Sequence, residues 1–168
     1  YFPEHAGAYR IRNTMALMAS TDIITTFDAD DWMYPRHLAA MTDGLMPGQV
    51  RVALGDKQGE DRPHKAHGIQ AWCRRDFINM GGYETWPCGA DTEALQRAEQ
   101  AGMEVTTLDV TTMKIRVHEG SLTQTRATGY DSEIRQTVRG EIRKRRSEPV
   151  TLDAIGIARF DWICQERE

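Results

Sequence analysis

Apolar residues at Ala8, Ile11, Met15 and Met18 recur at helical spacing, and this pattern predicts a helix that ends near residue 19, before the Ser20-Thr21-Asp22 break. Ile23-Ile24-Thr25-Thr26-Phe27 reads as a buried strand that runs directly into Asp28-Ala29-Asp30-Asp31. Pro35 suits a first helical position and opens a helix carrying Leu38, Met41 and Leu45 inward. Val50, Val52 and Leu54 alternate as a strand with one covered face. Residues 55–68 are polar, rich in charge and histidine, and read as a mobile loop before an extended stretch from Ile69 to Cys73. A helix is expected over 74–80, closed by Gly81-Gly82, and a second from Asp91-Thr92-Glu93 to Gly102. Short strands are expected over 103–108 and 113–118, the latter placing Lys114, Arg116 and His118 on one face. Tyr130, Ile134, Val138 and Ile142 mark a basic helix, and 150–168 reads as a further one. Such alternation implies an α/β layered domain with a mainly parallel or mixed sheet.

Composition narrows this picture. The 168 residues, 40% of them hydrophobic, suit one core, and no apolar run approaches the roughly 18 residues of a membrane helix. A formal charge of −4 argues against nucleic acid as a partner. The charge is uneven: between residues 126 and 146 seven basic residues face three acidic ones, a local +4 that leaves −8 elsewhere. Cys73, Cys88 and Cys164 are odd in number and widely spaced, which supports neither a disulfide framework nor a zinc knuckle and fits a reducing cytoplasm. Tyr1 stands where an initiator Met is absent, with no basic or apolar leader after it, so the chain is expected to be part of a longer product.

The acidic cluster carries the first chemistry. In layered α/β domains ligands sit beyond the carboxyl ends of strands, where Asp28 to Asp31 lie. Aspartates at i and i+2 there can aim oxygens at one hard cation, Mg²⁺ or Mn²⁺, which keeps waters and substrate phosphates as its other ligands. The alternative is that Asp28 and Asp31 satisfy loop amides and cap the next helix.

Further segments resemble a known family. Arg12-Asn13, the strand ending in Phe27-Asp28-Ala29-Asp30-Asp31, and Pro35 look like the central part of the GT-A glycosyltransferases of family 2. Ala71-Trp72-Cys73-Arg74-Arg75, Gly81-Gly82-Tyr83-Glu84, Gly89-Ala90-Asp91-Thr92-Glu93 and Val117-His118-Glu119-Gly120-Ser121-Leu122-Thr123 resemble that family's later landmarks, in order. The resemblance covers about residues 8 to 125. It implies a GT-A-like, Rossmann-like mixed sheet flanked by helices, without its N-terminal nucleoside-binding strands. Residues 1–125 would be the catalytic and acceptor-side part, and 126–168 a basic helical C-terminal extension.

What the resemblance implies for function is a metal-dependent, inverting transfer of a sugar from a nucleotide-sugar to a saccharide, lipid-linked or protein hydroxyl, as in surface polysaccharide or glycoconjugate synthesis. Asp28 and Asp30 match the Asp-x-Asp motif that holds Mn²⁺ or Mg²⁺ on the donor diphosphate, His118 a histidine that reaches the metal, and Arg12 an arginine near the donor. Asp91 matches the general base, although Ala90 replaces the usual Glu. Trp72, Tyr83 and Trp86 are candidates to stack on an acceptor sugar, with core packing as the alternative for Trp72. The basic residues of 135–146 are candidates for peripheral contact with the inner face of a membrane, with a solvated helix end as the alternative. A non-catalytic GT-A-like binding module and a metal-dependent phosphohydrolase are the other readings; Trp32 and the downstream matches weigh against the phosphohydrolase.

Overall fold

In the computed structural model, which describes residues 7–121 and 123–147, the chain runs α1 (Ala8–Met18), β1 (Ile23–Thr25), β2 (Trp32–Met33), α2 (His37–Thr42), β3 (Gln49–Lys57), β4 (His64–Cys73), α3 (Arg74–Asn79), α4 (Ala90–Gln100), β5 (Glu104–Ile115) and α5 (Glu133–Arg145). The strands form one mixed sheet in the order β1-β4-β3-β5-β2. Among the described residues only β3 and β5 pair in parallel; the other three pairings are antiparallel. The expected helix over 150–168 lies outside the described residues.

Successive side chains of a strand point to opposite faces, and here that rule divides the core in two. Val50, Val52 and Trp72 face one way and pack with Ala16 of α1, Phe77 of α3 and Ala94, Leu95 and Ala98 of α4. Ala53, Ile69, Ala71 and Met113 face the other way and pack with Met41 and Leu45 in and after α2. The result is a sheet with helices on both sides. Among the described residues no helix is long and apolar enough to cross a membrane.

Four sequence expectations need correction. The inward face of α1 is built from Asn13 and Ala16, while Met15 and Met18 are 64% and 70% exposed. Helix α2 begins at His37, not Pro35, because Trp32 and Met33 first pair with Lys114 and Met113 as a short edge strand; Leu38 is exposed. Most of the polar stretch 55–68 is not a loop but the far end of a hairpin, with Gly55 opposite His64 and Leu54 opposite Lys65. Finally, the two short strands expected after Gly102 are one strand, β5, which follows β3 through two register shifts and stops at Ile115, short of His118.

Helix α5 is not a detached appendage. Its buried Val138 lies against Gly89, where an added Cβ would fall 2.9 Å from the valine methyl. Gln96 of α4 donates to the carbonyl of Ile142, and Gln100 to those of Arg145 and Arg146. Arg145 pairs with Glu84 and covers the ring of Trp86 at 4.9 Å.

Candidate functional site

The acidic loop is fixed from beneath by the sheet. Beyond the end of β1, Thr26 keeps pairing with β4: its amide donates to the Gln70 carbonyl at 3.0 Å and its hydroxyl to the Gly68 carbonyl at 2.7 Å. The chain then turns at Asp28, whose carbonyl accepts from the Asp31 amide at 3.1 Å. Asp28 therefore stands directly over Gly68.

Each acid has a different partner. Arg12 of α1 forms an ion pair with Oδ1 of Asp28 and lies over the Tyr9 ring at 5.6 Å. Burial raises the pKa of Asp28, the Arg12 charge opposes this, and Asp30 and Asp91 add to the rise. Asp30 is exposed, and its Oδ2 meets Nε2 of His118 at 2.8 Å, which holds the carboxyl below its ordinary range. Asp31 accepts from the backbone amide of Arg116 at 2.9 Å and is raised, chiefly by burial. The loop-ordering role weighed for Asp31 is therefore visible, and it also ties the acidic loop to the segment carrying His118.

Asp91 enters from the opposite side, in the first turn of α4. Its Oδ1 accepts from Tyr9 Oη at 3.0 Å and from the Thr92 amide at 2.9 Å. Its Oδ2 faces Gly68: a Cβ at that glycine would lie 3.5 Å from this oxygen and 3.9 Å from Oδ2 of Asp28. Absence of a side chain at Gly68 thus opens a gap onto which both carboxylates face. His67, whose Nδ1 lies 2.9 Å from Thr92 Oγ1, borders the gap; burial lowers its pKa and the charge of Asp91 opposes this.

Around this gap lies a cleft of about 490 Å³, walled by the β3–β4 hairpin and by α5. Asp28, Asp31 and Asp91 are among its lining residues, as are Lys65 of the hairpin and Arg135 and Arg139 of α5. Asp30 and His118 are not among its lining residues.

The aromatic candidates fare differently. Trp72 and Tyr83 are each 1% exposed and belong to the core, so neither ring offers a face to a sugar: Trp72 takes the alternative of core packing, and the stacking role expected of Tyr83 is corrected. Both donate to Oε1 of Gln70, at 2.8 and 3.0 Å. Trp86 is half-buried beneath the Arg145 guanidinium.

Gln70 was not singled out by the sequence reading, yet it joins core to site: its Nε2 donates to the carbonyls of His67 at 2.7 Å and Asp91 at 3.0 Å. A glutamine inside the otherwise apolar run Ile69 to Cys73 is the signal that marks it, since a buried amide demands partners. Tyr9, Lys65, His67 and Gly68 carry no such signal, and Arg139 stands out in sequence only as one of the basic residues of 135–146. Nothing in their spacing distinguishes them from surface residues before the hairpin and α5 are folded over the cleft.

Among the described residues no group of three or more His, Cys, Asp or Glu side chains converges as a metal cage. The donor set present is Asp30 with His118, and Asp28 close by. That fits Mg²⁺ or Mn²⁺ of the kind that completes its shell with water and substrate phosphate. No protein-family model matches the chain, and no curated protein matches it.

Proposed function

We propose that this chain carries the catalytic residues of an inverting, metal-dependent glycosyltransferase of the GT-A type, acting on a nucleotide-sugar. The observation that carries the reading is a convergence. Four segments remote in sequence meet in pairs: Arg12 with Asp28, Asp30 with His118, and Asp28 with Asp91 across Gly68. A helix cap or an ordered loop requires none of these long-range meetings.

In this reading Asp30 and His118, with Asp28 alongside, hold the Mn²⁺ or Mg²⁺. When bound, the cation offsets the charge left on the departing nucleoside diphosphate. Asp91 is the general base. With Oδ1 occupied by Tyr9 and Thr92, Oδ2 is the atom that takes the proton from an acceptor hydroxyl in the gap over Gly68. The acceptor oxygen bonds to the anomeric carbon, and the carbon–diphosphate bond breaks on the opposite face, inverting the centre. The cleft, which contains Asp91 and not Asp30, is the acceptor's approach.

The test is calorimetric titration with Mn²⁺, followed by a screen of nucleotide-sugar hydrolysis and transfer. Wild type binds Mn²⁺ and turns over; Asp30→Ala loses metal affinity, and Asp91→Asn keeps the metal while losing turnover. Equal Mn²⁺ affinity in wild type and Asp30→Ala would sink the assignment.

A further inference from the structure

Lys65, Arg135 and Arg139 line the cleft, and among the described residues none of the three forms an ion pair with a carboxylate. Of the carboxylates that line it, Asp28 is paired with Arg12, while Asp31 and Asp91 accept hydrogen bonds from neutral groups, the Arg116 amide for the one and Tyr9 and the Thr92 amide for the other. Lys57 is taken by Glu60 at the hairpin tip. Lys65 and Arg139 are half-buried, and among the described residues the charged end of neither has a carboxylate or hydrogen-bond partner. Arg135 is held in place, its Nε donating to the Thr128 carbonyl at 2.8 Å and its guanidinium 5.3 Å from the centre of the Tyr130 ring. The same ring takes the Lys57 ammonium at 5.6 Å. Cations that line one cleft without a carboxylate partner attract an anion that enters it.

We propose that Lys65 of the hairpin with Arg135 and Arg139 of α5, which line the cleft together, form a binding site for an oxyanion, phosphate or carboxylate, borne by the acceptor. The word acceptor rests on the glycosyltransferase reading; the anion site itself does not. The cleft contains Asp91 and Asp28 but neither Asp30 nor His118, so it adjoins the donor side at Asp28 and extends from there past Asp91 to Lys65, Arg135 and Arg139. Arginine and lysine divide the task as their chemistry suggests, with the planar guanidinium of Arg139 suited to two oxygens and Lys65 acting as a compact charge.

The test is titration of the whole chain, in EDTA so that no metal offers the anion a seat, with inorganic phosphate, with acetate, and with phosphatidylglycerol vesicles. Saturable phosphate or acetate binding is expected, weakened at least about tenfold in Arg139→Gln and in Lys65→Gln and unchanged in Asp30→Ala. Vesicle binding lost in the same two variants identifies a lipid headgroup as the source of the anion; binding of the free anions alone identifies a soluble acceptor. Circular dichroism confirms that the variants are folded. No saturable anion binding, or equal affinity in wild type and both variants, overturns the site. Loss of the Mn²⁺ result with anion binding intact would overturn the glycosyltransferase reading instead.

Discussion

Tyr9 donates its hydroxyl to Oδ1 of Asp91 at 3.0 Å, joining α1 to the first turn of α4 across 82 positions of chain. Burial, and then the negative charge of Asp91, push the phenol's pKa above its ordinary value, so Tyr9 remains the donor at any working pH. The bond leaves Oδ2 as the oxygen over Gly68. Tyr9→Phe is expected to cost about 1 kcal/mol of stability and to lower turnover roughly tenfold with little change in KM. Urea denaturation and steady-state kinetics measure the two. Unchanged turnover would mean that the Thr92 amide alone orients the carboxylate.

Gly68 offers a steric probe of the same gap. Its φ is not positive, and an added methyl would sit at ordinary contact distance from the two aspartate oxygens, 3.5 and 3.9 Å away. Gly68→Ala should therefore fold normally, with stability within about 0.5 kcal/mol of wild type. It should lose most acceptor-dependent turnover, because the methyl occupies the space where the hydroxyl must approach. An unchanged melting temperature with full activity would place the acceptor elsewhere.

These two residues also show where the sequence stops being readable. The acidic loop, α4 and α5 follow from local rules: carboxylates after an apolar strand, a first turn with Asp91 and Glu93, and a Ser132 cap. The extent of helix α1 follows as well, but its inward face does not, because periodicity counts Asn13 as polar and turns it outward. In the fold Asn13 is buried, with its amide donating to the Tyr83 carbonyl and accepting from the Tyr83 amide, both at 2.8 Å, as a neighbouring strand would. The hairpin fails for the complementary reason. Lys57, His64, Lys65 and His67 look like loop residues because they line a polar cleft, yet their backbone is paired as strand. Polarity there reports the site and conceals the secondary structure.

The turn that Asn13 holds is also held from α4. Arg97 is 4% exposed and forks onto Glu93, itself 3% exposed, with Nε and Nη2 at 2.9 and 2.8 Å from its two oxygens. The remaining donors reach the carbonyls of Met80 and Gly82. Removing one side of such a pair strands a buried charge, so Arg97→Leu is expected to cost about 3–5 kcal/mol. Arg97→Lys should recover only part of this, since an ammonium cannot reproduce the fork. Denaturation midpoints of the two variants check the order. A loss under about 1 kcal/mol in Arg97→Leu would mean that Arg145, 3.6 Å from Glu93, is able to take over the charge.

His37 makes stability depend on pH in a calculable direction. The ring is fully buried, with Nδ1 at 3.1 Å from Thr112 Oγ1, an edge contact to Phe27 at 5.2 Å, and no partner at Nε2 among the described residues. Burial lowers its pKa below the ordinary 6.5, so between that value and the depressed one the unfolded chain binds a proton that the folded chain refuses. Stability is therefore complete above 6.5 and falls as the pH drops below it, with a slope of up to about 1.4 kcal/mol per pH unit from this group. His67 is shifted in the same direction and adds to the fall. Urea denaturation between pH 7.5 and 5.5 should show the decline in wild type and a shallower one in His37→Gln. Equal slopes in the two proteins would mean that the folded state accepts a proton on His37 after all, which requires the ring to reach solvent.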